Sequence, residues 1–371
     1  MAIKTYEYKL YDSQRNRHLE NAMQIAAEIY NHCIALHRRY YKLTGRYVSP
    51  NRMKTHITKL KHTERYRHWN QLGSQAIQDV VERIGRSYDA FFDHIKEHRR
   101  GKKSPPKFRK ASRYRSFTLK QAGYKFHDDN RVTIMGRVYK YFKHRPMDGK
   151  IKTVTVKRNA LDEYFLYVTC EVEMPVVKTR LSNAIGFDFG LKHFLTGSDG
   201  SILDAPEYYR HSLDELRKAH RSFSRKTGKT NRQRAINHLN HVHLKVVNQR
   251  RDWFFKLSKD LATSHGYICI EDLNIDAMKK LWGRKISDYA FTEFVQHLEW
   301  ACQKSGCQLI KVDKWQPTTK PCHVCGHVNN TLTLKDRTWT CPHCNTVHIN
   351  LCRVLVRPYI TAENVDGTTY V

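Results

Sequence analysis

Four cysteines in two pairs are the residues whose spacing says most about chemistry. Cys322-His-Val-Cys325 and Cys341-Pro-His-Cys344 are CxxC knuckles separated by fifteen residues, a spacing that lets two turns close a tetrahedron of thiolates around Zn²⁺. Four sulfur ligands leave no open coordination position, so this zinc reads as a structural staple and not a catalytic centre. Between the knuckles, Thr331-Leu332-Thr333-Leu334 and Arg337-Thr338-Trp339-Thr340 alternate as a short hairpin would, which predicts a zinc ribbon. The other cysteines, Cys33, Cys170, Cys269, Cys302, Cys307 and Cys352, lie in apolar or mixed segments and read as core or incidental thiols.

Carboxylates form the second chemical pattern. Ala184-Ile-Gly-Phe-Asp188-Phe-Gly-Leu-Lys192 is an apolar strand with one acid at its centre. Holding that acid ionised among apolar neighbours calls for a compensating charge, and a divalent cation is the usual functional one. Gly266-Tyr-Ile-Cys-Ile-Glu271-Asp272-Leu273 is a β-run that ends in acids, and between the two runs lies a basic helical stretch, Leu213 to Leu261, with Arg225, Lys226, Arg232, Arg234, Arg250 and Arg251. An acid at a strand end is by itself a common cap. A hairpin strand bearing Asp, a later strand ending in Glu and a final helix bearing a third acid together describe a ribonuclease-H-like nuclease that uses two metals.

The elements that would position these residues can be read from hydropathy. Leu10 closes an alternating strand; Leu19, Ala22, Met23, Ala26, Tyr30, Cys33 and Leu36 recur at helical spacing, as do Ile77, Val80, Val81, Ile84, Tyr88 and Phe92. A helical segment therefore reaches to about residue 98. It is followed by the basic arm Arg99 to Lys110, then Arg113 and Arg115, whose Pro105-Pro106 pair forbids continuous helix. Composition leaves two readings of the arm open: an extended segment lying along phosphates, or a solvated linker. Short β-like runs fill 116–174: Phe117–Leu119, Arg131–Ile134, Val138–Phe142, Ile151–Val156 and Tyr164–Cys170. With the N-terminal strand they predict a small antiparallel barrel that receives the helices as an insertion.

Charge narrows the partner. The 371 residues carry 66 Lys+Arg against 35 Asp+Glu, a formal net charge of +31, with 40% hydrophobic and 11% aromatic content. The chain can bury real cores, and a basic field spread along its length suits a polyanion with many phosphates, which makes nucleic acid the expected partner and an ordinary metabolic enzyme a poor reading. No run of about 18 apolar residues is present and Met1-Ala2-Ile3-Lys4 begins no apolar leader, so no membrane partner and a cytoplasmic, nucleoid-associated location are expected.

Taken together these motifs resemble the TnpB family of transposon-encoded RNA-guided nucleases, relatives of type V CRISPR effectors. The resemblance spans essentially the whole chain and is clearest in Gly186–Lys192, Asn248–Asp252, Ile270–Asn274, Phe291–Phe294 leading into Lys311–Asp313, and Thr319–Gly326. It implies a multidomain α+β and α/β architecture. The wedge β-barrel, of the oligonucleotide-binding type, would comprise residues 1–10 and 115–180, with a helical recognition lobe, residues 11–114, inserted in it. A RuvC-type ribonuclease-H-like domain, residues 181–320 and 347–371, would be interrupted by a zinc ribbon, residues 321–346. The implied partners are a guide RNA and a double-stranded DNA target flanked by a short motif that the protein reads. Lys102, Lys103, Lys107, Arg109, Lys110, Arg113 and Arg115 on the arm, with Arg225, Lys226, Arg250 and Arg251, are the candidate nucleic-acid contacts by charge.

One departure from the family pattern changes the functional reading. After the second knuckle, family members carry a His-Asp-Arg-Asp-x-Asn run whose second Asp is the third metal ligand. Here the stretch is His348-Ile-Asn350-Leu351-Cys352-Arg353, and Leu351 stands at the ligand position. Leu offers a metal no oxygen, so Asp188 and Glu271 become vestigial acids, suited at most to one weakly held Mg²⁺. Glu363 and Asp366 lie twelve or more residues further on, over three turns or roughly 18 Å if helical. The reading is similar to the TnpB-like nuclease-dead repressors: a guided DNA binder that represses transcription by occlusion and is not an enzyme. The alternative is an active RNA-guided endonuclease with a rearranged third ligand. A DNA-binding accessory protein without RNA is the remaining class.

Overall fold

The computed structural model describes residues 2–99, 101–173, 181–190, 192–272, 289–312, 320–322, 324–332 and 338–349. They divide into two compact units, Met1–Met174 and Pro175–Val371.

In the first unit, strand β1 (Ala2–Lys9) leads to helix α1 (Asn16–Thr44), then α2 (Pro50–Leu60), a 3₁₀ segment (Glu64–Leu72) and α3 (Ser74–Lys96). Helix α1 buries Leu19, Ala22, Met23, Ala26, Tyr30 and Cys33, the stripe its sequence predicts. It stops at Gly45, whose φ of 66° is the left-handed cap that a glycine adopts without strain. Helix α2 was not evident from periodicity; Ser49 caps it by accepting from the Arg52 amide, with Pro50 in its first turn.

Strands β2 (Ser116–Leu119), β3 (Tyr124–Phe126), β4 (Arg131–Ile134), β5 (Arg137–Lys140), β6 (Lys150–Arg158) and β7 (Tyr164–Val172) follow. Their pairing makes two sheets, a four-stranded β1-β7-β6-β2 and a meander β3-β4-β5, joined by a single bridge between Leu10 and Tyr141. Alternation along β7 buries Tyr164, Leu166, Val168, Cys170 and Val172. Helix α3 is fastened to β2 by Arg83, which donates to the Ser116 carbonyl at 3.0 Å and to Thr118 Oγ1 at 2.8 Å while pairing with buried Asp79 at 2.6 Å.

The second unit is built on a five-stranded sheet in the order β10-β9-β8-β11-β12. Strands β8 (Ala184–Phe189), β9 (Leu195–Gly197) and β10 (Ile202–Leu203) form an antiparallel meander; β11 (Tyr267–Glu271) and β12 (Gln308–Val312) add parallel to it. The basic stretch between β10 and β11 forms α4 (Tyr208–His211), α5 (Leu213–Arg225) and α6 (Lys229–Ser264); α7 (Phe291–Ser305) precedes β12. Phe187, Phe189, Ile268 and Ile270 pack with Phe254 of α6 and Phe291, Phe294 and Leu298 of α7.

Around the second cysteine knuckle, strand β13 (Thr338–Thr340) pairs antiparallel with β14 (Val347–Ile349), so this sheet embraces the knuckle and runs past residue 346. Residues 333–337 of the expected 331–340 hairpin lie outside the described residues.

Candidate functional site

The two acids singled out in the sequence are brought together by strand register. β11 pairs with β8 from Tyr267 opposite Ala184 to Ile270 opposite Phe187. Asp188 and Glu271 are the residues that directly follow this last pair, and alternation puts both on the same face of the sheet. That face is the one with Cys269, Ile310 and Val312, whereas the neighbouring Phe187, Phe189 and Ile270 turn into the core with α6 and α7. Both acids are half-buried.

The register is locked at the start of the two strands. The Asn183 carbonyl accepts from Gly266 N at 3.0 Å and Tyr267 N at 3.1 Å; its side chain accepts from Gly266 N at 3.1 Å and donates to the Ser264 carbonyl at 2.8 Å. Gly266 is required there, because a Cβ would lie 2.0 Å from the Leu181 carbonyl oxygen. At the other end of the strands a cleft of about 310 Å³ is lined by Phe189, Glu271, Asp272, Glu299 and Lys311. Lys311 pairs with Glu299 at 2.5 Å. Two carboxylates on adjacent parallel strand ends can share a divalent cation. Leu351, expected from the family resemblance at the third ligand position, and Cys352, Glu363 and Asp366 lie outside the described residues.

The four knuckle cysteines converge as the spacing requires. Their sulfurs all lie within 4.8 Å of one another, Cys322 to Cys344 at 3.4 Å and Cys325 to Cys341 at 3.6 Å. A tetrahedron of Zn–S bonds of about 2.3 Å has sulfurs roughly 3.8 Å apart, so the set could hold zinc. The two knuckles are the same turn built twice. Cys322 N donates to the His327 carbonyl and Gly326 N to that of Cys322; Cys341 N donates to Thr346 and Asn345 N to Cys341, all at 2.7–2.9 Å. Gly326 and Asn345 occupy the equivalent left-handed position, with φ of 76° and 55°. The site would supply rigidity, with every ligand already a protein sulfur.

Among the candidate nucleic-acid contacts, the arm is docked and not a free linker. Asn31 of α1 donates to the Arg109 carbonyl and accepts from the Arg109 amide, both at 2.9 Å, and Tyr30 donates to the Lys107 carbonyl at 3.1 Å. Lys102, Lys103, Lys107, Arg109, Lys110, Arg113 and Arg115 are all exposed. Lys103 donates to the Ala90 carbonyl at 2.7 Å, and Arg109 lies over the Tyr30 ring at 5.2 Å. Arg225 and Lys226 are exposed where α5 ends.

Arg250 and Arg251 have a different environment. Arg250 Nη2 meets Glu293 Oε2 at 2.9 Å and Arg251 Nε meets Glu293 Oε1 at 2.8 Å, tying α6 to the first turn of α7. Burial would raise the Glu293 carboxyl, but the hydrogen bond from Arg251 and the charges of both guanidiniums hold it below the usual carboxylate range. Burial lowers His297, one turn further along. Sequence reasoning gave no role to Glu293, Asn183 or Gly266. Their partners are separated from them by tens of residues, so no local pattern marks them.

Residues 167–281 match the family described as "Probable transposase" (OrfB_IS605), and residues 291–350 match the "Cas12f1-like, TNB domain". A Streptomyces pristinaespiralis protein carrying the provisional name RNA-guided DNA endonuclease is 28% identical over 373 residues, covering 97% of this chain and 90% of its own. The Escherichia coli K12 protein InsQ, with the same provisional name, is 22% identical over 333 residues, 84% of this chain and 80% of that protein. In fold, the chain is similar to the mini RNA-guided endonuclease CRISPR-Cas phi3, with a TM-score of 0.50 at 9% identity over 95% of this chain and 91% of the other.

Proposed function

The chain belongs to the TnpB/OrfB family and carries a Cas12f1-like domain, and from that premise we propose that it is a nuclease-inactive, RNA-guided DNA-binding protein that represses transcription by occupying its target. A guide RNA selects the site by base pairing, the protein reads a short flanking motif, and the opened duplex is held through backbone contacts. If the target is a promoter, polymerase is excluded. The single observation that carries the inactive reading is Leu351 at the position of the third metal-ligating acid.

Phosphodiester cleavage by two metals needs acids that clamp both ions about 4 Å apart. Asp188 and Glu271 supply two carboxylates from adjacent strands; Leu351 supplies none, so one ion lacks a protein ligand and the charge stabilisation it would give the transition state goes with it. Binding is unaffected, because pairing and phosphate contacts use none of these groups. In this reading the two sheets of the first unit are the wedge, the helices of residues 11–114 the recognition lobe, and the five-stranded sheet the RuvC-type core. The 321–346 ribbon is stapled by structural zinc. Among the described residues no helix is long and apolar enough to cross a membrane; the working location proposed is the bacterial cytoplasm, on the nucleoid.

The test is to purify the protein with its bound RNA, sequence that RNA, and incubate a matching duplex with Mg²⁺ and Mn²⁺. RNA-dependent binding with intact DNA is expected, and Leu351→Asp should create or greatly raise cleavage. Metal-dependent cutting by the unaltered protein, abolished in Asp188→Ala, would overturn the inactive reading in favour of an endonuclease whose third ligand is Glu363 or Asp366. Binding that survives ribonuclease treatment would instead support a DNA-binding accessory protein.

A further inference from the structure

The seam between the two sheets of the first unit carries an aromatic pair that no packing need explains. Tyr11 and Phe142 stack with ring centroids 3.8 Å apart and planes 17° from parallel, yet they are 46% and 43% exposed. The backbone fixes them there. Tyr11 N donates to the Lys140 carbonyl at 3.0 Å and Phe142 N to the Lys9 carbonyl at 2.9 Å, on either side of the Leu10–Tyr141 bridge. Leu10 and Tyr141 are buried, so alternation turns their neighbours Lys9, Tyr11, Lys140 and Phe142 outward together. Two rings in contact that remain nearly half exposed leave aromatic surface open to solvent.

The surroundings are cationic. Lys140, Lys143, Arg137 and Arg15 are exposed, and Arg15 is pinned to the same strand by its bond to the Val138 carbonyl at 3.0 Å. Lys9 is neutralised by Glu163, and Asp12 is the acid nearest in the chain. Exposed rings amid cations are the elements of a single-stranded nucleic-acid site, in which bases stack on aromatic faces and phosphates meet basic side chains.

We propose that the Tyr11–Phe142 stack is a preformed platform for one unpaired nucleobase of the bound RNA, with Lys140 and Arg15 facing the adjoining phosphate. This rests on the RNA-guided reading above and deepens it. RNA is the favoured source because unpaired bases are what RNA loops and ends present to aromatic side chains, while the target strand is paired to the guide; the displaced DNA strand, the other source of unpaired bases, is what the oligo(dT) probe distinguishes.

The test uses the full chain freed of nucleic acid at high salt, with fluorescein-labelled 20-nucleotide oligo(U) RNA and oligo(dT) DNA as probes and anisotropy measured over a salt series. Tyr11→Leu and Phe142→Leu, which keep apolar bulk but remove the ring, should each weaken oligo(U) binding by about 5- to 100-fold. The salt slope should be unchanged, since stacking releases no counterions; Lys140→Ala should lower that slope by about one. Tyr11→Phe and Phe142→Tyr should bind as the unaltered protein does. Leu variants that bind oligo(U) normally, a loss shared by the Phe and Tyr swaps, a loss that tracks a fallen melting temperature, or an effect confined to oligo(dT) would each overturn the platform. An unaltered protein that binds no RNA at all would instead remove the guided reading on which it stands.

Discussion

Asp188 and Glu271 each follow the Phe187–Ile270 pair with which the parallel β8–β11 register ends, and alternation places both on the face of the sheet opposite Phe187 and Ile270, which pack with α6 and α7. Eighty-three residues apart in the chain, they come to share that face because Asn183 fastens Gly266 at the strands' other end.

That lock is testable. In Gly266→Ala the new methyl would press on the Leu181 carbonyl, so a loss of about 1–3 kcal/mol is expected in urea denaturation. Millimolar Mn²⁺ should raise the melting temperature of the unaltered protein slightly, and Asp188→Ala should abolish that rise. A rise of the same size in Asp188→Ala would show that the cation binds elsewhere.

Zinc should be present at one ion per chain, as counted by colorimetric release after thiol modification. Cys341→Ser removes a ligand that is 0% exposed. It should release the metal and make residues 320–349 susceptible to protease, while the melting of the rest of the second unit changes little. Full zinc occupancy in that variant would contradict the four-sulfur assignment.

The arm's docking depends on Asn31, which makes two 2.9 Å bonds to Arg109. Asn31→Ala should speed tryptic cleavage between Lys102 and Arg115 several-fold. Global stability should fall by only about 1–2 kcal/mol, since each bond is worth about 0.5–1.5 kcal/mol net. Unchanged cleavage kinetics would mean that the other contacts hold the arm alone.

Acid should weaken both units, and two groups predict where. His37, 5% exposed and stacked on Tyr47 at 4.9 Å, is pushed by burial from the ordinary 6.5 to about 4. Its folded pKa lies below its unfolded one, so the unfolded chain binds the extra proton; the stability is complete above about pH 6.5 and is lost as the pH falls towards about 4. Melting curves of His37→Phe should be flatter across that window. Glu293 is depressed too, so its stabilising pairing with Arg250 and Arg251 is complete above its ordinary 4.5 and is lost at lower pH. The melting-temperature gap between the unaltered protein and Glu293→Gln should therefore narrow below pH 4.5.

Local pattern carried much of this fold. The stripes of α1 and α3 and the alternation of β6 and β7 are legible because each element buries one face, and burial imposes its period on the sequence. Helix α2, only eleven residues and with just Met53 and Ile57 buried, leaves too weak a stripe to see. The three-residue β3 is too short for alternation to register. The pairing of β13 with β14 was not legible for another reason: it is decided by which segment the second knuckle brings alongside, and short alternating runs do not encode that choice. Charge reasoning named Arg250 and Arg251 as nucleic-acid candidates but could not show that both guanidiniums also meet Glu293, more than forty residues away.

What the sequence by itself determined is chemical identity: four cysteines in paired knuckles, a surplus of cations and two acids in apolar strands. These follow from residue type and short spacing, which no folding step alters. What only the tertiary structure decided is adjacency. It paired Ile270 with Phe187, next to Glu271 and Asp188, turned Arg250 and Arg251 onto Glu293, laid the arm on α1 and brought Tyr11 against Phe142. Each of these contacts joins residues more than forty positions apart, and it exists because backbone pairing and a shared core close the chain between them.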